Sequence, residues 1–471
     1  MDIPPGSVDR IRLWTHAPYR RRVSALEVVQ EALTSIHRVN SALHAFTHVD
    51  DVGALSCANR MDRHTPHGAK PLPLARVPFA VADLDDCLGM PSRYGSALYR
   101  EVRPSAVESI VVRRLRAAGA IPIGKTAVSE FGWGPVACTD SGAVTRNPWI
   151  RTRSPGGDGG AAAAVAAGLV PFAVGSEWRG SIRTSAAHCG LVGFKPSHGL
   201  IPSSGMRTPG NYGGDLHSVG LLTASVADSA LILELVAGPD PADRGSSAHF
   251  PQPYVEQLTR PIPSTTRIGW LADLGYPQAD TEMFAHEVAG RIAAAVGTRL
   301  MVVRLVLDDL KALTAPAQLG LSAMLAATGL IPRCLQECGP EVRAVVADVV
   351  DERAGAPGLL SRLADAAECR AQWQIRVMDL FSRVDVLLIM SAPGVASCTA
   401  ADLLGEVGNR PDLVSCEILA NACWLPAASV PIGFSSMGLP VGLQVIARYG
   451  QDSTVLSVAR LVEQACSEWQ V

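Results

Sequence analysis

Lysine is the scarce residue in this chain of 471: of 41 basic side chains, only Lys70, Lys125, Lys195 and Lys311 are lysines. Any mechanism that needs a lysine base must choose among four. Aromatic residues make up 5% of the chain and the net charge is −3, so no polycationic face is on offer and nucleic acid is not an expected partner. The basic run Arg20-Arg21-Arg22 reads as a solvated helix entry. The eleven cysteines include no CxxC pair. Cys334 and Cys338 have no His or Cys companions at zinc spacing, so no metal and no other cofactor is expected. The opening MDIPPGSVDR lacks an apolar signal segment, which points to reduced thiols and a cytoplasmic location. The longest apolar stretch, 159–175, is broken by Pro171 and internal glycines and falls short of the roughly 20 residues that span a bilayer. No membrane contact is expected; the stretch reads as a small-residue helix running into a buried strand.

What is present is enough apolar material, 48%, to bury a large core without disulfides or metals. Ser24-Ala-Leu-Glu27 is a capping box, followed by Leu26, Val29, Leu33 and Ile36 on one face of a helix reaching about Asn40. A second box, Ser105-Ala-Val-Glu108, predicts a helix with Val107, Ile110, Val111 and Leu115 inward; Gly119 ends it and 120–124 is a short buried strand. Strands are also predicted at 268–271, 302–306, 384–390 and 442–447, with helices around 283–296, across 310–373 and from Ser453. Helix and strand in alternation give an α/β fold. The organisation read from the chain is one domain over 1–471, with a variable region at about 240–380.

Gly119-Ala-Ile-Pro-Ile-Gly124-Lys125-Thr126 matches the phosphate-loop pattern GxxxxGK[ST] letter for letter, but its interior is a buried strand containing a proline without an N–H, so no phosphate is expected there. Ser154-Pro-Gly156-Gly157-Asp158-Gly159-Gly160 is less ordinary: four glycines around one acid open an alanine-rich helix, where N–H groups converge. Next comes Gly175-Ser-Glu177-Trp178-Arg179-Gly180-Ser181-Ile-Arg183, a strand exit and a turn with a hydroxyl at its crest.

These two segments, in this order, resemble the amidase signature family. Further matches run along most of the chain: 77–83, Gly124-Lys-Thr, Asn147-Pro-Trp149, 190–196, Leu216-His-Ser-Val-Gly220, 426–431 and 438–444. The resemblance implies an amidase signature fold, a large mixed β-sheet flanked by helices on both faces. It also implies amide hydrolysis by a serine activated through a second serine and a lysine. A serine hydroxyl is a weak nucleophile until a base takes its proton, and a lysine is that base only if buried and neutral.

Carried over by motif, the nucleophile is Ser181. The lysine belongs where Ala82 stands, and the bridging serine belongs in the glycine run, which is one residue short and holds only Asp158. Glu177, Trp178, Arg179 and Gly180 form the altered oxyanion turn. Arg179 binds a carboxylate or enolate if it points into the cavity and pairs with Glu177 if it points out. His217 stands where the family usually has an aspartate and is a candidate substrate contact; His188 reads as a packing residue. None of the four lysines fits the vacant position.

Three functions follow as expectations. The first is an enzyme repurposed for non-hydrolytic acid/base chemistry (cyclisation, elimination, isomerisation or condensation) on an amide- or carbonyl-bearing small molecule, as in secondary metabolism, with Asp158 and Ser181 as its catalytic residues. The second is a non-catalytic homologue serving as a binding or partner subunit. The third is a residual amidase or esterase using Ser181. Region 240–380 is expected to cap the cavity. Homodimerisation is common in the family, and nothing in this sequence demonstrates it.

Overall fold

The computed structural model describes residues 23–64, 72–139, 141–203, 216–272, 279–305, 310–353, 359–396 and 415–467. Eleven strands form one sheet: β1 (Phe46–Val49), β2 (Pro78–Ala82), β3 (Ile121–Thr126), β4 (Phe172–Glu177), β5 (Val192–Lys195), β6 (Ser218–Thr223), β7 (Ile268–Leu271), β8 (Met301–Val303), β9 (Val386–Met390), β10 (Ala427–Phe434) and β11 (Pro440–Ala447). Their spatial order is β1-β3-β2-β4-β6-β5-β10-β11-β9-β7-β8. The pairs β2–β3, β2–β4, β7–β8 and β7–β9 are parallel and the others antiparallel, so the sheet is mixed.

Alternation along the central strands feeds two cores, because successive side chains of a strand leave opposite faces. Phe79 and Val81 of β2, Phe172 and Val174 of β4 and Leu221 of β6 face one core, covered by the helices Ile110–Ala117, Val226–Val236, Ala279–Val296 and Asp452–Ala465. Ala80, Ala173 and Leu222 face the other, covered by Ala25–Leu43, Asp51–His64, Gly159–Ala166 and Ser181–Cys189. The expected sheet with helices on both faces is therefore present. β7 and β8, from the middle of the chain, complete one edge of the same sheet.

The capping box at Ser24 forms as predicted, and the helix runs on to Leu43 before His44 turns left-handed. The box at Ser105 does not form. The Ser105 backbone is instead tied to the loop at Gly89 and Met90, and the helix begins at Ile110 behind Ser109. β3 runs straight through the phosphate-loop look-alike. Among the described residues, no single helix is long and apolar enough to cross a membrane, and the nine described cysteines are all free.

Candidate active site

Two helix N-termini meet at the end of β4. The strand leaves the sheet at Glu177 and turns through Gly180, whose φ of 90° is a left-handed value, into the helix Ser181–Cys189. A Cβ at Gly180 would lie 2.9 Å from the Cβ of Glu417 and 3.0 Å from its carbonyl oxygen, so both conformation and space require glycine. Asp158 stands at the N-cap of the helix Gly159–Ala166, which packs tightly on its neighbours: a Cβ at Gly160 would lie 2.3 Å from the Ala127 carbonyl oxygen. An N-cap aspartate ordinarily accepts an N–H of its own helix. Asp158 makes no such bond. Its Oδ2 instead accepts a hydrogen bond from the Ser181 Oγ at 2.9 Å.

That choice puts the carboxyl group in an unusual state. Asp158 is 1% exposed, and its other oxygen, Oδ1, is buried without a partner among the described residues. Burial pushes its pKa up to about 7; the Ser181 hydrogen bond opposes the rise, and the nearby carboxylates Asp85 and Glu177 add to it. Oδ1 faces β4 beside Ala82: a Cβ at Gly175 would lie 3.4 Å from it and 3.2 Å from the Ala82 Cβ. The Ala82 methyl group and the unpartnered carboxylate oxygen thus flank the same glycine, Gly175. Ser181 is partly exposed and stands over the sealed Asp158.

The turn from Glu177 to Gly180 is organised by Arg183, a fully buried arginine. Its Nε and Nη2 donate to Glu177 Oε1 at 3.0 and 2.7 Å, its Nη2 reaches Asn421 Oδ1 and the Glu417 carbonyl, and its Nη1 bonds Gln444. Glu177 also accepts the Ile182 N–H. Glu177, expected at the substrate, is therefore a positioning group that fixes the start of the Ser181 helix. It does not pair with Arg179. Trp178 is buried, donates through Nε1 to the Gly132 carbonyl at 3.0 Å and stacks on Trp133 at 4.8 Å. The Arg179 guanidinium lies 5.0 Å from the Trp178 ring centroid. Glu417, held by the Thr184 hydroxyl at 2.8 Å, has its pKa raised to about 7, chiefly by burial. Neither Arg183 nor Glu417 was singled out from sequence; Glu417 lies more than 200 residues away along the chain, and no local signal marks it.

The described lysines are engaged elsewhere. Lys125 Nζ donates to the Asp85 carbonyl at 2.6 Å and the Ser92 hydroxyl at 3.0 Å, and lies 3.5 Å from Asp83. Lys195, its pKa lowered to about 7 mainly by burial, donates to the Pro196 carbonyl at 2.7 Å. Lys70 and the Lys311 side chain lie outside the described residues. His188 is buried between the carbonyls of Pro155 and Gly394, at 3.1 and 3.3 Å, and pins the glycine run. His217 precedes β6, whose Ser218 pairs with Glu177; it is buried, its Nδ1 has no partner, and burial lowers its pKa to about 4. Among the described residues, no group of three or more His, Cys, Asp or Glu is placed to hold a metal ion. A separate cavity of about 520 Å³, lined by Arg260, Ile262, Asp385, Arg448 and Ser453 among others, includes none of the candidate residues.

The chain is similar to known proteins along nearly its whole length. A family model described as Amidase matches residues 27–456. The chain is 32% identical to a glutamyl-tRNA(Gln) amidotransferase subunit of Chloroflexus aurantiacus, over 95% of this chain and 94% of that protein. It is 33% identical to the protein of the same name from Prochlorococcus marinus, over 97% of each. Among solved structures, a chain from a vestigial protein complex bearing on the evolutionary origins of an s-triazine catabolic enzyme superposes with a TM-score of 0.81 at 28% identity, over 98% of each chain. A bacterial aryl acylamidase of the amidase signature enzymes shares the fold, with a TM-score of 0.86 at 22% identity over 99% of this chain and 98% of that one.

Proposed function

Because the chain belongs to the amidase family, we propose that it is an enzyme acting on an amide- or carbonyl-bearing small molecule. In this reading Ser181 and Asp158 move a proton without the family's lysine. The observation that carries the proposal is the 2.9 Å hydrogen bond from Ser181 to a carboxyl group that is 1% exposed. With its pKa near 7, Asp158 is split between acid and base at neutral pH, the condition under which one group both accepts and returns a proton efficiently. Asp158 is sealed behind Ser181, so the proton reaches substrate through the Ser181 hydroxyl, which accepts from one side as it donates to the other.

The chemistry proposed is non-hydrolytic: cyclisation, elimination, isomerisation or condensation. A neutral lysine that takes the serine proton becomes a cation and attracts the oxyanion formed on the substrate. A carboxylate that takes it becomes neutral, and that attraction is missing, which favours proton transfer over an acyl-serine route. A second reading, with Ser181 attacking the carbonyl and Asp158 as its base, is favoured by one observation. The backbone N–H groups of Gly180 and Ser181 have no acceptor among the described residues, as a site for an oxyanion requires.

Within the variable region, β7, β8 and the helix Ala279–Val296 belong to the sheet and its core, and the part that follows β8 enters this proposal as the cap of the site. Its Gly339 N–H donates to Glu130 at 2.7 Å, in the loop whose Ser129 N–H holds the Gly157 carbonyl next to Asp158. Mass-spectrometric screening of amide- and carbonyl-bearing small molecules against wild type, Asp158→Asn and Ser181→Ala tests the reading. Both variants are expected to lose the conversion that wild type performs. Full conversion by both would overturn it.

A further inference from the structure

Arg183, the other cation of this segment, is engaged by the protein's own acid and amides; Arg179 is not. Among the described residues, its guanidinium makes no hydrogen bond and no ion pair within 4 Å, although it is only partly exposed. The two acids near it are committed. Glu177 is taken by Arg183 and by the Ile182 N–H. Glu417 accepts from Thr184, its pKa is raised chiefly by burial, and it forms no ion pair with Arg179 within 4 Å. The attraction of Glu417 opposes the lowering of the Arg179 pKa by burial. An arginine remains charged in proteins, so a positive charge sits two residues from Ser181 with no acid within 4 Å of it among the described residues.

The charge is also held in place. Trp178 is clamped by its bond to Gly132 and by Trp133, and it offers its ring to the guanidinium at 5.0 Å. A cation–π contact of this kind restrains a guanidinium and does not consume its N–H donors, which can still fork onto an oxyacid. Gly180, which separates Arg179 from Ser181, packs closely against Glu417 and Arg183.

We propose that Arg179 is a specificity-determining residue that binds a carboxylate on the substrate, so that the true substrate is an anionic amide or carbonyl compound whose acid group lies beside its reacting group. The inference rests on Ser181 as the group that meets the substrate. It is tested by calorimetry or ligand-observed NMR with two probes of nearly equal size, succinamate, a half-amide with a free carboxylate, and succinamide, its neutral counterpart. Wild type is expected to bind succinamate at least about tenfold more tightly than succinamide, the worth of a charge-assisted hydrogen bond. Arg179→Gln should bind the two equally, and Arg179→Lys, which keeps the charge and loses the fork, should fall between. The graded series of two variants separates loss of the contact from loss of the fold. Equal binding of the probes by wild type, absence of succinamate binding, or an undiminished preference in Arg179→Gln would overturn the inference. Binding is read without turnover, so these outcomes are independent of whether Asp158→Asn abolishes conversion.

Discussion

Replacing Asp158 by Asn should stabilise the protein progressively as pH rises, relative to wild type. The Asp158 carboxyl moves from 3.8 to about 7 on folding, so between these values the folded state holds a proton that the unfolded state has released. Stability conferred by that proton is full below pH 4 and is lost as pH climbs to 7, because the unfolded state binds fewer protons throughout the window. Three units correspond to about 4 kcal/mol across the whole range, and to about 3 kcal/mol between pH 5 and pH 8. Asn is close in shape and keeps an acceptor for the Ser181 hydroxyl, and it does not titrate. Whatever fixed cost the substitution has, it is the same at both pH values and cancels in the difference. Glu417, raised to about 7, titrates in both proteins and cancels as well; the coupling between Asp158 and Asp85 is part of the difference read. Urea unfolding of the two proteins at pH 5 and pH 8 reads the difference directly. A variant-minus-wild-type gap that is the same at both pH values would show that Asp158 is an ordinary ionised carboxylate, and the acid/base role assigned to it would fall.

Other substitutions test the frame around this pair. Ala82→Lys would place an ammonium beside the unpartnered Asp158 Oδ1, lower the Asp158 pKa and flatten the pH dependence above to less than about 1 kcal/mol, read in the same unfolding series. Arg183→Met leaves Glu177 buried without its cation and should cost about 3–5 kcal/mol in denaturant unfolding; adding Glu177→Gln should recover part of the loss. Gly180→Ala combines a left-handed φ of 90° with a 2.9 Å approach to Glu417, and should cost about 1–3 kcal/mol while displacing Ser181, seen as lost conversion in the mass-spectrometric screen.

The parts of this fold legible in sequence are those fixed by neighbours in the chain. Ser24 and Glu27 cap each other within one turn, and the alternation that makes β2 and β4 two-faced is local as well. Ser105 and Glu108 carry the same pattern and fail, because a backbone pairing with Met90 outbids the cap and Glu108 pairs with Arg116 instead. At the site, Ser181 and Asp158 were visible as a hydroxyl and an acid among glycines; that they bond each other was not, since an aspartate before a helix more often caps that helix. The same holds for Glu177. Two arginines lie within reach, and the buried one wins because Asn421, Gln444 and the Glu417 carbonyl, all more than 200 residues away, complete its shell. That choice leaves Arg179 without a hydrogen bond or ion pair among the described residues, which is the ground for proposing it as a carboxylate contact.

The most direct test is intact-mass measurement after exposure to a fluorophosphonate, which marks serines that act as acylating nucleophiles. With Asp158 as proton partner and Ser181 as conduit, wild type should show no stoichiometric adduct under conditions that saturate a lysine-dependent amidase of the same fold. A stoichiometric adduct on Ser181, absent from Ser181→Ala, would contradict the proposal and establish the acyl-serine route in its place.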